Sequence, residues 1–413
     1  MNKKEEFKTY VINCCISGTL TVKQAAKKLC LSERYVKKLK RSFRDNERNT
    51  LLHGNCGRQP KVTIDSNIKS KILETRALPE FGEVNNSHFK EILEEKYNIK
   101  ISYSALSKLF KNNSIVSQRT HKKKKIHKRR LPREKAGELL QADGTPHSFF
   151  KNSNKKQSLH GFIDDATGNI TGLYMCENEC MQGYLEVTRQ TFKNFGIPIS
   201  IYADGSSIFF NNIKREITIE EMLDDYEKPT TQYSRMMDEF GIQLIRARSP
   251  QAKGKIERLW NTLHDRLRVE FAMNDITTIE DANKFLKKYL NKYNKKFAKE
   301  PTNNVSAYIP LPEYANLDIL LSVKEVRTPD ASNTVSINGT LFKINCNEIL
   351  HKKKITICIN KKIGIKALYK DKLYNVIPIF NKNNLTISSS DSIENIINNF
   401  VFYYCFKNER VSV

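Results

Sequence analysis

Acidic residues are scarce in this chain. Its 413 residues include 45 Asp and Glu against 70 Lys and Arg, a net charge of +25. No apolar run reaches the roughly 18–20 residues that cross a bilayer as a helix, so no membrane partner is expected. Met1-Asn2-Lys3-Lys4-Glu5-Glu6 leads into no apolar stretch of the signal-peptide kind. The 9 cysteines are odd in number and lack a metal-finger rhythm. Cys176 and Cys180 stand four apart, but no second Cys or His pair follows at zinc spacing. Free thiols in a reducing cytoplasm are the expectation.

What is present is positive charge, and it is clustered. A chain this basic favours a polyanionic partner, nucleic acid first. Its length suggests two to four domains. In the first 52 residues, Val22, Ala25, Ala26 and Leu29 form a helical apolar stripe, and Ser32 can cap a second helix. There Val36 and Leu39 face inward while Arg34, Lys37, Lys38 and Arg41 face outward. That pattern suits a helix-turn-helix DNA-binding domain as well as a small helical pair with a charged face. Residues 53–64 read as a linker, in which Gly57-Arg58-Gln59-Pro60 either simply connects or lays Arg58 into a narrow minor groove. Residues 65–117 repeat the helical theme. Phe89, Ile92 and Leu93 begin one helix, and Ser102 can cap another that turns Ala105, Leu106 and Leu109 inward. Tyr103, Ser104, Ser107 and Lys108 would form its exposed face, which looks like a second helix-turn-helix. The basic linker 118–135 holds the densest charge. Lys122, Lys123, Lys124, Lys128, Arg129 and Arg130 suit the tracking of a phosphate backbone, which gives affinity without sequence preference.

Residues 136–300 change rhythm. Strands are expected over Leu139–Thr145, Ser158–Asp165, Ile170–Cys176, Pro198–Asp204 and Ile242–Ala247. Helices are expected over Leu185–Phe195, Tyr233–Phe240, Pro250 to about Ala272, and Ile279–Tyr293. This is a mixed α/β layer. Residues 301–325 read as a linker and 326–413 as a β-rich C-terminal domain, a small β-barrel or sandwich with an Asn338-Gly339 hairpin.

Three acids sit in apolar frames. Asp143 lies in Gln-Ala-Asp-Gly-Thr and Asp204 in Tyr-Ala-Asp-Gly-Ser, each at the end of a strand-like run. In the second run Ile199, Ile201 and Ala203 would face the core and leave Asp204 on the other side. Glu257 borders the stripe Ile256, Leu259, Leu263 and Leu267 of the long helix. Taken singly, the aspartates could be strand-ending turns, and Glu257 could pair with Lys253. Together in this order they can converge on Mg²⁺ or Mn²⁺, two ions of which serve phosphoryl transfer.

These motifs, with Ser-Pro-Gln-Ala-Lys-Gly-Lys-Ile-Glu-Arg around Glu257 as the most specific, resemble the integrase catalytic core of retroviral integrases and bacterial insertion-sequence transposases. The flanking domains are similar to those of ISNCY-type transposases. The resemblance implies a multidomain α/β protein with N-terminal helix-turn-helix units, an RNase H-like mixed-sheet catalytic core and a C-terminal small β-barrel. It implies a DDE transposase in the bacterial nucleoid, acting as a homo-oligomer on double-stranded DNA, both element ends and target. Asp143, Asp204 and Glu257 would hold two Mg²⁺ or Mn²⁺ ions, while Lys253, Lys255 and Arg258 would either steady DNA phosphates or form a solvated face. The gap between Asp204 and Glu257 is wider than usual for this core, which points to an insertion at about 211–231. A metal-dependent nuclease on the same fold and a non-catalytic DNA-binding regulator are the alternatives.

Overall fold

A computed structural model describes residues 3–45, 64–82, 84–115, 131–151, 153–211, 230–247, 253–337, 340–360 and 362–379. Its contacts divide the chain into two units, Met1–Glu74 and Thr75–Val413. Arg58, the basic run 122–130, Asn338-Gly339 and the tail after 379 fall outside the described residues.

In the first unit, α1 (Lys3–Ile16), α2 (Val22–Leu29) and α3 (Glu33–Asp45) follow one another closely. Thr21 and Gln24 form a reciprocal capping box at the start of α2. Cys30, in the left-handed region at φ 53°, ends α2, and Ser32 Oγ accepts the Tyr35 amide at 3.3 Å to begin α3. The apolar stripe closes as the spacing suggests. Ala25, Ala26, Val36 and Leu39 pack together, and Val11, Ile12 and Cys15 of α1 complete the core. Arg34, Lys37, Lys38 and Arg41 are all exposed.

α4 (Ser66–Ala77) crosses the division between the units, and α5 (Asn86–Tyr97) and α6 (Tyr103–Asn112) follow. Asn85 caps α5, and Ser102 caps α6 through the Ala105 amide at 3.2 Å. Phe89, Ile92, Leu93, Leu106 and Leu109 are buried, with Phe110 as an additional core residue. Tyr103, Ser104 and Lys108 are exposed, while Ala105 and Ser107 are half-buried.

Five strands form a mixed sheet: β1 (Leu140–His147), β2 (Gln157–Asp164), β3 (Ile170–Cys176), β4 (Ser200–Ala203) and β5 (Gln243–Arg246). Their order is β3-β2-β1-β4-β5. The β1–β2 and β2–β3 ladders are antiparallel, and the β1–β4 and β4–β5 ladders are parallel. α7 (Met181–Asn194) and α8 (Gln232–Glu239) cover one face, packing on Leu140, Ala142, Phe162, Ile201 and Ala203. α9 (Gly254–Met273) and α10 (Ile279–Phe297) cover the other, on Leu159, Ile163, Leu173 and Met175. The fold is thus a mixed α/β layer. Two details differ from the sequence patterning. Asp143 does not end its strand, because β2 pairs with β1 as far as His147, and only the β4 partner stops early. Ile199 is 46% exposed, since β4 begins one residue later and only Ile201 and Ala203 reach the core.

After α11 (Leu317–Leu320), a second sheet contains β6 (Val323–Arg327), β7 (Thr334–Ile337), β8 (Thr340–Ile344), β9 (Ile355–Asn360), β10 (Gly364–Tyr369) and β11 (Lys372–Pro378). Its order is β6-β9-β10-β11-β8-β7, antiparallel throughout. β6 begins inside the stretch that read as a linker. Among the described residues no ladder joins the outer strands β6 and β7, so a closed barrel is not seen. Of the segment expected as an insertion, Thr231 caps α8 by accepting the Ser234 amide at 3.0 Å, and 212–229 lie outside the described residues.

Charged pairs join α5 to α9 and α10 inside the second unit. Arg266 of α9 grips Glu91 with both terminal nitrogens at 2.8 Å, and Lys296 of α10 also reaches Glu91. His88 lies 3.3 Å from Glu270, and Lys292 bonds Glu95 at 2.7 Å. Among the described residues no helix is long and apolar enough to cross a membrane.

Candidate active site

Strand register brings two of the three acids together. Leu140 is level with Ile201 and Gln141 with Tyr202 on the parallel neighbour. Two residues further along, Asp143 and Asp204 leave the ends of that ladder side by side. Lys253, immediately before α9, confirms the convergence: its Nζ lies 2.8 Å from Asp143 Oδ1 and 3.8 Å from Asp204 Oδ2. The Lys253 side chain is only 10% exposed. A buried ammonium is tolerated where carboxylates surround it, so the pair of aspartates forms a pocket of negative potential suited to a cation. The second Asp143 oxygen accepts the Trp260 indole N–H at 2.9 Å. The Ser206 amide donates to Asp204 Oδ1 at 3.1 Å.

The helix carrying the third acid is tied to the same strand. Gln141, two residues before Asp143, accepts the Lys255 and Ile256 amides at 3.2 Å each with its Oε1. These are two of the donors that a helix N-terminus leaves without an internal partner. Its Nε2 donates to buried Asp165 at 2.7 Å. Glu257 stands exposed in the first turn of α9, where the helix dipole favours a carboxylate. It is not drawn into a tight cluster with the aspartates. Among the described residues, the three potential metal ligands whose ligating atoms all fall within 4.8 Å of one another are His160, Cys176 and Cys180.

A fourth acid escaped the sequence reading. Glu179, between β3 and α7, is exposed as a residue, but its carboxylate turns onto the Tyr184 hydroxyl, which donates at 2.6 Å. Burial of that end raises its pKa. The Tyr184 bond opposes this, and the charges of Asp204 and Asp143 add to the rise. Gly144 makes the approach feasible, since a Cβ there would stand 2.9 Å from Glu179 Cδ. In the sequence Glu179 is one acid among several before a helix, with no spacing to mark it.

The basic residues of α9 behave unequally. Lys253 points inward to the aspartates, and Lys255 Nζ reaches the Asp165 backbone carbonyl. Arg258 is exposed, its Nε donating to the Gly254 carbonyl at 2.7 Å. Lys108 is exposed on α6.

No protein-family profile matches the chain. The chain is 32% identical over 374 residues to the transposase for insertion sequence IS1202 of Streptococcus pneumoniae, covering 83% of this chain and 78% of that protein. It is 28% identical over 352 residues to y4bF of Sinorhizobium fredii, named as a candidate transposase, covering 84% and 74% respectively. Among solved structures, the HTLV-2 integrase catalytic core domain in complex with magnesium matches 39% of this chain and 89% of that chain, at 15% identity and a TM-score of 0.28. The simian T-cell lymphotropic virus intasome in complex with PP2A regulatory subunit B56 gamma matches 74% and 96%, at 13% identity and a TM-score of 0.31. Scores this low add nothing to the fold as described.

Proposed function

The chain belongs to the family of insertion-sequence transposases, enzymes of the polynucleotidyl-transferase class, and from that premise we propose that Asp143, Asp204 and Glu257 form its catalytic site. One observation carries the reading. The β1–β4 register sets two aspartates beside each other around a buried ammonium, so the fold maintains a cation position at the end of the parallel ladder. The donor set is all oxygen, which suits Mg²⁺ or Mn²⁺. Asp143 and Asp204 would hold two such ions with Glu257 as the third ligand. When bound, the ions would activate the attacking oxygen and stabilise the leaving one.

In this reading residues 136–300 are an RNase H-like core, and its reaction is hydrolysis at the element's end followed by transesterification. The freed 3′-hydroxyl attacks a target phosphodiester, and no covalent protein–DNA intermediate forms. Trp260 holds the Asp143 carboxylate from one side, and Gln141 fixes α9 so that Glu257 keeps its distance from β1. Arg258 is exposed and available to a DNA phosphate. Lys255 is committed to Asp165 and contributes by holding the helix start.

The α2–α3 pair supports a helix-turn-helix unit. Its turn is tight, its core is closed by Ala25, Ala26, Val36 and Leu39, and the outer face of α3 carries four exposed cations. That face would enter a major groove of the terminal inverted repeat. The α5–α6 pair is a second such unit, with Lys108 on its exposed side. Joining two element ends requires at least two protomers on DNA.

A strand-transfer assay on purified variants tests the site. Asp143→Asn, Asp204→Asn and Glu257→Gln should each abolish joining while end binding stays largely intact, because the carboxylates serve the metal-dependent chemistry. Full activity in any one removes that residue from the site. Cutting without joining by the unmodified protein would assign it to a nuclease instead.

A further inference from the structure

We propose that His160, Cys176 and Cys180 form a second metal site, of the soft kind that takes Zn²⁺, at the corner between β3 and α7. Their ligating atoms all lie within 4.8 Å of one another. The three come from different elements: His160 from the middle of β2, Cys176 from the last position of β3, and Cys180 from the N-cap of α7. Only the fold brings them together, which is why the four-residue Cys spacing lacks a partner pair in the sequence.

The imidazole is already set for ligation. Its Nδ1 lies 3.3 Å from the Tyr174 carbonyl oxygen, which can only accept, so Nδ1 carries the proton. Its Nε2 accepts the Cys180 amide at 3.1 Å, so the lone pair is on Nε2 and points at the β3–α7 corner. A backbone carbonyl holding one ring nitrogen while the other binds is the usual arrangement of a metal-ligating histidine. Gly183 lets the helix close over the ring, since a Cβ there would stand 2.5 Å from Nδ1. The metal would take the lone pair that now receives the Cys180 amide.

Two thiolates and an imidazole select Zn²⁺ over Mg²⁺ or Mn²⁺, whose ligands are oxygens. Both cysteines line an open cavity of about 720 Å³, which leaves a path for the ion and room for a water as fourth ligand. The site lies one residue from functional ground. His160 is level with Gly144 in the β1–β2 ladder, beside Asp143, and Cys180 follows Glu179. A metal there would pin the corner that presents Glu179 to the aspartates.

The test uses the full chain, purified under reducing conditions and titrated with Co²⁺ in excess Mg²⁺, so that carboxylate sites are filled. Thiolate-to-cobalt charge transfer should appear, and Zn²⁺ should displace it. Cys176→Ser and Cys180→Ser should each weaken Co²⁺ binding by at least about tenfold, the lower range for disturbing even an outer partner of a metal site. Should a variant fail to fold, X-ray absorption on the unmodified zinc-loaded protein decides independently. Two sulfurs at about 2.3 Å and nitrogen or oxygen at about 2.0–2.1 Å support the site. A shell of nitrogen and oxygen alone, no charge transfer, a band unchanged in both folded variants, or a Cys176–Cys180 disulfide in the reduced preparation would overturn it.

Discussion

Glu91→Ala is the substitution whose cost can be reasoned furthest. Glu91 accepts both terminal nitrogens of Arg266 at 2.8 Å, and Lys296 joins it. The side chains of Arg266 and Glu91 are 10% and 15% exposed. Removing one partner of such a pair leaves a guanidinium with little water to replace it, at roughly 3–5 kcal/mol for full burial. Residual access places Glu91→Ala near the lower end, about 3 kcal/mol. Glu95 and Lys292, 52% and 43% exposed, make an ion pair of similar length in the same interface. Exposed pairs contribute only about 0–1 kcal/mol, so Glu95→Ala is the internal control. The single tryptophan, Trp260, lies buried on α9 two turns from Arg266, so its fluorescence in a denaturant titration reports the helix in question. Acid gives the second arm. Burial raises the Glu91 pKa, but bonds to Arg266 and Lys296 more than reverse this and bring it down to about 2. A depressed carboxylate stabilises above its ordinary pKa and stops doing so as pH falls through the folded value. The difference between the parent and Glu91→Ala should therefore be full at pH 6 to 7 and shrink from about pH 4.5 toward about 2. The reasoning is refuted if Glu91→Ala costs no more than Glu95→Ala, or if the difference survives undiminished in acid.

Lys253→Met should tighten Mn²⁺ binding about 10–150-fold, because the ion no longer displaces a charge-assisted hydrogen bond of about 1.5–3 kcal/mol. Loss of the free Mn²⁺ spin-resonance signal reads this, and equal or weaker binding would show that the ammonium does not compete for the site. A chain starting at residue 65 should keep the Trp260 unfolding transition and lose preference for element ends. An unchanged footprint on an end fragment would remove α2–α3 from recognition. A chain starting at residue 116 should instead unfold more readily by about 3 kcal/mol or more, since it strips Glu91 and His88 from Arg266 and Glu270. Equal stability of the two truncations would deny α5 its place on α9.

Much of this architecture was legible because it depends on local pattern. Ala25, Ala26, Val36 and Leu39 declare a helical stripe, Ser32 and Ser102 declare caps, and the alternation in β4 sets Asp204 apart from Ile201 and Ala203. What escaped depends on contacts distant in sequence. Asp143 read as a strand end because Asp143-Gly144 is turn-like, yet pairing with β2 carries the strand to His147. Glu179 has meaning only through Gly144, Tyr184 and the two aspartates. The first three residues of β6 read as linker; three of its five residues are charged, and its partner β9 lies some thirty residues on. Around the start of α9, charge left two readings open for Lys253, Lys255 and Arg258, DNA phosphates or a solvated face; the geometry turns Lys253 to the aspartates and Lys255 to Asp165, leaving Arg258 outward.

That division of labour bears on how the third acid would join the first two in the proposed site. Gln141 and Trp260 both couple β1 to α9, one through the helix amides and one through Asp143 itself. The helix therefore cannot slide along the strand without breaking bonds at both of its contacts. In the proposed site, movement that brings Glu257 to the aspartates would come from its own side chain rather than from α9 as a body. Lys253, immediately before α9, points inward to the aspartates, while Glu257 in the first turn is exposed. If Glu257 completes the proposed site, withdrawal of the ammonium and entry of the carboxylate would be opposite halves of one exchange. A Gln141→Ala variant isolates the scaffold from the exchange. It should loosen α9 and lower joining activity, while leaving the Lys253→Met gain in Mn²⁺ affinity intact. If Gln141→Ala abolished that gain, the helix body and not the side chains would be setting the site.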